Sequence, residues 1–189
     1  MSLIEQWTGV TKFMVTEPDA FIDQYDEDHG IGYPIKFVAL SVIAMALPIT
    51  LLMVLANLSS PADLRAAAII GAAIVLIGFV ASIIEMLLVH GVVYALGGRE
   101  GSVSTFEAYA FPSAVRLGLA WIPLVNLAVG FYGLYLQIKT LASFQGVSSG
   151  RSAVALVFAS LLVLPTMVIA IAVIAAFFLE LGGGGGAPV

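Results

Sequence analysis

The sequence predicts an all-α fold: a polytopic transmembrane bundle of five helices, preceded by an N-terminal amphipathic interfacial segment. Three observations predict it. Residues 34–55, 66–88, 106–121, 124–144 and 153–179 form long apolar runs. The composition, 61% hydrophobic and 10% charged with a mean hydropathy of +1.09, lies outside the soluble range. The breaks between runs carry the chemistry of helix ends. Crossing ~30 Å of hydrocarbon takes about 20 helical residues at ~1.5 Å each, a length four runs reach and the third just misses.

In chain order, residues 1–33 read as a cytoplasmic surface segment, 34–181 as the transmembrane domain and 182–189 as a tail. Leu3, Trp7, Val10 and Met14 recur at helical spacing while Glu5, Gln6 and Lys12 point elsewhere, which suits a helix lying in the membrane interface. Such a helix serves as an anchor or, more specifically, as a docking surface for a cytosolic partner. Pro18 breaks it and opens a second short helix carrying Phe21, Ile22 and Tyr25. An acidic stretch with Asp26, Glu27, Asp28 and then His29 follows, and consecutive acids without ligand spacing read as a solvated charge run rather than a metal site. Residues 1–35 show no secretory leader pattern, so the first apolar run is expected to be a retained span.

Ser60, Pro61 and Asp63 supply an N-cap hydroxyl, a proline for the first helical position and a carboxylate at the positive end of the helix dipole, which starts the second span. Gly97 and Gly98, followed by Arg99, Glu100 and Gly101, make a wet loop, and Ser104 with Glu107 forms a capping-box pattern for the third span. Trp121, Ile122 and Pro123 separate the third and fourth runs without a polar loop and read as a tight outer turn. The rival, one long kinked helix, would reduce the spans to four. Gly146 to Gly150 form the last inner loop, and the glycines from Gly182 onward are expected to be disordered. Pro48, Pro112 and Pro165 read as kinks that shape the bundle.

Orientation follows from the basic residues. A cytoplasmic N-terminus places Lys12, Lys36, Arg99, Lys139 and Arg151 on the inner side, leaving Arg65 outside and Arg116 within a span. With five spans in the cell membrane, the C-terminus is extracytoplasmic.

Two stripes predict how the spans pack. Ala67, Gly71, Gly78, Ser82 and Glu85 share a face of the second span, interrupted by Ile74, and Asn126, Gly130, Gly133 and Gln137 share a face of the fourth. Close packing accounts for both more simply than a transport path. The candidate intramembrane polar residues are Glu85, His90, Glu107, Arg116, Asn126 and Gln137. Glu85 is placed near the inner end of its helix, with His90, Lys139 or Arg151 as partners. Arg116 is expected to turn outward toward Asn126 or Asp63, more than ~10 Å from Glu85 along the membrane normal.

Several function classes are disfavoured. The chain has 0 cysteines and 2 histidines, with no HExxH motif, no paired intramembrane aspartates and no serine beside an obvious base. The net charge of -5 argues against nucleic acid as a partner. No enzyme activity, catalytic residue, metal site or cofactor is expected. The expected partners are the lipid bilayer and either a cytosolic protein or a second copy of the chain.

The order of features resembles the Yip (Ypt-interacting protein) family over about residues 5–180. It rests on Pro18 before Phe21-Ile22, His90-Gly91, Gly97-Gly98, Ser104-Thr105-Phe106, Phe111-Pro112, Ile122-Pro123 and Arg151-Ser152-Ala153. The resemblance implies a five-span domain with a cytoplasmic N-terminus and, in eukaryotic members, membrane traffic and association with prenylated Rab-type GTPases. The N-terminal region here is far shorter than theirs, and the short acidic form resembles prokaryotic members, to which no biochemical role carries over. The sequence thus supports a non-enzymatic membrane organiser or recruiter, with an oligomeric transporter or channel for a small solute, ion or lipid as the alternative.

Overall fold

The computed structural model describes residues 2–25 and 29–183, and every described element is a helix. In order these are α1 (Leu3–Thr16), α2 (Pro18–Gln24), α3 (Gly32–Ala56), α4 (Pro61–Ala95), α5 (Ser102–Arg116), α6 (Asn126–Gln145) and α7 (Ser149–Gly183). Three of them, α3, α4 and residues Ser149–Ile174 of α7, are long and apolar enough to cross a membrane.

The helix ends follow from local chemistry. Ser2 and Glu5 form a reciprocal capping box on α1, each side chain bonding the other residue's amide. Ser60 Oγ accepts from the Asp63 amide ahead of α4, with Pro61 at the first helical position. Gly146, at φ 61°, closes α6 in the left-handed conformation that glycine adopts without steric cost. The capping box expected at Ser104 and Glu107 does not form. Helix α5 starts at Ser102, with Gly101 rather than Ser104 at the N-cap, and Ser104 Oγ instead donates to the Phe144 carbonyl of α6 at 3.0 Å.

The chain between α5 and α6 is a run of turns, which excludes the single kinked helix. Leu124 there takes φ 67° and is 98% exposed, an unusual backbone for a branched residue. Because α5 ends at Arg116, it is 15 residues long and spans only about 22 Å at ~1.5 Å per residue. It is also the most enclosed element, packed by α1, α3, α4 and α6 and buried from Thr105 to Val115. The expected third run to residue 121 therefore becomes a short sheltered helix, with Thr105, Glu107 and Ser113 kept from lipid by neighbouring helices.

Part of that shelter is α1. Its apolar face, expected to lie in the interface, is turned onto the bundle: Met14 is fully buried, and Trp7 Nε1 donates to Ser41 Oγ of α3 at 2.9 Å. Tyr132 of α6 donates to the Met14 carbonyl at 3.3 Å. Aromatic rings continue the seam, with Phe21 edge-on to Phe13 and Phe111, and Tyr25 stacked on Phe144 at 5.0 Å between centroids.

The small-residue stripe of α4 is an interface. Ala67, Gly71, Gly78, Ser82 and Glu85 are all buried. A Cβ at Gly71 would collide with the Thr50 side chain, and one at Gly78 would press on Val42 at 3.3 Å, so the stripe admits α3. The stripe of α6 is split: Gly133 and Gln137 pack against α5, while Asn126 is exposed and Gly130 faces open space. Pro48, Pro112 and Pro165 lie inside α3, α5 and α7. Helix α7 continues through Gly182 and Gly183. Residues 184–189 of the expected tail, and Asp26, Glu27 and Asp28, lie outside the described residues.

Candidate functional site: a buried polar cluster

Four helices place polar side chains at one level of the bundle. Glu85, 4% exposed, accepts a hydrogen bond from the Tyr109 hydroxyl of α5 at 2.6 Å and another from Ser160 of α7. Arg116 Nη1 lies 3.6 Å from Glu85 Oε1 and donates to Gln137 Oε1 of α6 at 2.8 Å. Gln137 Nε2 in turn donates to the Tyr109 carbonyl at 3.3 Å, which closes the network. Charge in a low-dielectric core is tolerated when it is paired and hydrogen-bonded, and here Glu85 accepts two hydroxyls beside the Arg116 guanidinium, which itself donates to Gln137.

The expectation that Glu85 and Arg116 stand apart is overturned, for two reasons. Helix α4 runs on to Ala95, ten residues past Glu85, which puts the carboxylate about 15 Å from that helix end rather than beside it. Arg116 is the last residue of α5, and its guanidinium turns inward along α6 instead of outward. The partners expected for Glu85 are engaged elsewhere. His90 Nδ1 pairs with Thr105 Oγ1 at 2.9 Å, Lys139 forms an ion pair with Asp19, and the Arg151 guanidinium lies beside Gly97.

Glu107 is buried and meets His29 Nδ1 at 3.1 Å, with the Tyr25 hydroxyl on the same nitrogen at 3.0 Å and the Tyr33 ring stacked on the imidazole at 3.9 Å. This pairing ties the chain after α2 to α5. Asn126 joins neither group. Of the predicted polar residues, then, Glu85, Arg116 and Gln137 come together, while His90, Glu107 and Asn126 occupy separate places.

Sequence reasoning missed Tyr109 and Ser160. Glu107 and Tyr109 are two apart and so cannot share a helix face. Since Glu107 faces His29, Tyr109 was free to face α4, a relationship visible only once the partners are placed. A cavity of about 70 Å³ adjoins the cluster, lined by Ser82, Glu85, Tyr109 and Arg116 among apolar residues of α3, α4 and α7. A shallower one of about 210 Å³ lies between Arg116 and the first turns of α6, bordered by Asn126, Gly130 and Phe131. An apolar groove of about 550 Å³ runs between α4 and α7, past Leu76, Ile84, Leu162 and Ala170. Among the described residues no group of three His, Cys, Asp or Glu side chains is placed to hold a metal ion.

No match was found among curated proteins or among solved structures. The family model of the Yip1 domain matches residues 12–172, from the last turns of α1 through most of α7, and so covers the entire polar cluster. With most of its length matched, the chain belongs to the Yip family.

Proposed function

We propose that this Yip-family membrane protein is a non-enzymatic, five-crossing protein of the cell membrane that organises the bilayer or recruits a partner. In this reading α5 and α6 form a further membrane-embedded hairpin beside the three long helices, the N-terminus is cytoplasmic and the C-terminus extracytoplasmic. The observation that carries it is the internal satisfaction of Glu85 by Tyr109, Ser160 and Arg116 around a cavity of about 70 Å³, a volume suited to packing and too small for a solute path. The partner is a cytosolic protein or a second copy of the chain. The face available to it on α1 and α2 is largely polar, with Glu5, Thr8, Lys12, Asp19 and Asp23 outward beside the exposed Ile4 and Val15, while Met14, Phe21 and Ile22 are buried in the bundle.

The apolar groove between α4 and α7 supports a second reading, an oligomeric transporter or channel that handles lipid or a small solute. Reconstitution separates the two. Proteoliposomes carrying the protein or its Glu85→Gln variant are expected to show no ion flux or lipid movement above empty vesicles. A pH-dependent flux present in the unmodified protein and abolished in a variant that melts normally would overturn the scaffold reading.

A further inference from the structure

Arg116 borders two cavities at once. On one side is the chamber of about 70 Å³ that it shares with Ser82, Glu85 and Tyr109. On the other is the vestibule of about 210 Å³ that it shares with Asn126, Leu127, Gly130, Phe131 and Leu134. The vestibule is open to the surroundings: Leu127 and Phe131 are 69% and 67% exposed, and nothing lies within 4 Å of where a Cβ on Gly130 would stand. It descends one face of α6 from Asn126 to Leu134, about 12 Å along the helix, beside Arg116.

The geometry points to a one-sided hydration site: the chamber holds water that exchanges past the Arg116 side chain with the side of the membrane on which α6 begins. The chamber has room for about two waters at ~30 Å³ each, and a buried water needs roughly two to four polar partners. The Ser82 hydroxyl, Glu85 carboxylate, Tyr109 hydroxyl and Arg116 guanidinium line it and offer both donors and acceptors. The route is sided because the other lining residues, Val42, Ala81, Leu117, Val163 and Met167 among them, carry no polar side chain and offer water no hydrogen bonds beyond those of the backbone. The consequence is that Glu85 communicates with one aqueous phase while remaining closed to the other. This inference does not depend on the scaffold reading, since a dead-end hydrated site carries no flux.

The chain has 0 cysteines, so single cysteines report accessibility without background. Ser82→Cys places a thiol in the chamber, and Asn126→Cys places one at the vestibule mouth as a control. In sealed vesicles of known orientation, silver ion added on the side where α6 begins is expected to block later maleimide labelling of the Ser82→Cys protein after detergent opening. Silver added on the other side is expected to leave labelling intact. Adding Gly130→Trp, which fills the vestibule in front of Arg116, should slow the block several-fold, with an unchanged melting temperature showing that the bundle is intact. Protection of the Ser82→Cys thiol from both sides while the Asn126→Cys thiol reacts, equal reaction from both sides, or indifference to Gly130→Trp would each overturn the inference.

Discussion

Arg116 stands 2.8 Å from Gln137 and 3.6 Å from Glu85, so the guanidinium is held by a neutral amide on α6 while its charge is balanced by a carboxylate on α4. The relationship joins three helices through one side chain. It also explains why α5 can be so short: its last residue is anchored within the bundle rather than at a lipid surface. Glu85 in turn takes hydroxyls from α5 and α7, so the cluster links every helix from α4 to α7.

The glycine contacts give a packing prediction. Gly78→Leu and Gly133→Leu force volume against Val42 and against the Arg116 backbone, and each is expected to destabilise the bundle by about 1 to 3 kcal/mol or more. Leu76→Ala, at a side chain 65% exposed on the opposite side of α4, should change stability far less. Thermal unfolding in detergent measures all three. Equal melting temperatures would show that these faces are not interfaces.

Trp7 tests the docking of α1. Trp7→Phe removes the indole donor to Ser41, whose hydroxyl still donates to the Phe37 carbonyl, so no buried group is orphaned and the expected loss is about 0.5 to 1 kcal/mol. Trp121→Phe, in the turn after α5, should be near neutral. If α1 leaves the bundle for lipid in the native membrane, the two variants will melt alike.

Reporter fusions test the crossings. A reporter after Gly186 is expected to be extracytoplasmic, and reporters inserted between Gly97 and Gly101 or between Gly146 and Gly150 cytoplasmic. A cytoplasmic C-terminal reporter would contradict five crossings and require that α5 and α6 together cross the membrane only once.

What could be read from the sequence was what depends on one helix at a time. Ser60, Pro61 and Asp63 fixed the start of α4, and the Gly71, Gly78 and Ser82 spacing identified its packing face, because caps and periodicity are local. The Pro123 region was correctly read as a break for the same reason. The end of α5 was not legible, since residues 117–120 contain no proline or polar residue and their one weak helix former, Gly118, is common inside membrane helices. The partners of Glu85 were illegible because they depend on axial offsets between α4, α5 and α7, and an error of two turns moves a side chain by about 11 Å. The exposure of Asn126 and Gly130 has a similar origin: the stripe is continuous in sequence, but α5 covers only its lower half.

The most direct test of this account is a double-mutant cycle between Glu85 and Arg116, read by reversible unfolding in detergent micelles. Arg116→Met strands a buried carboxylate and is expected to cost about 3 to 5 kcal/mol, and Glu85→Gln strands the guanidinium while keeping an acceptor oxygen for one of Tyr109 and Ser160, a loss that the single and the double variant share. The Gln137 bond is lost in the Arg116→Met single and in the double variant alike, so it cancels from the cycle. The account predicts that the double variant is more stable than the sum of the singles by at least ~1 kcal/mol. Additive losses would contradict it, because they would mean that the two charges do not meet in the folded protein.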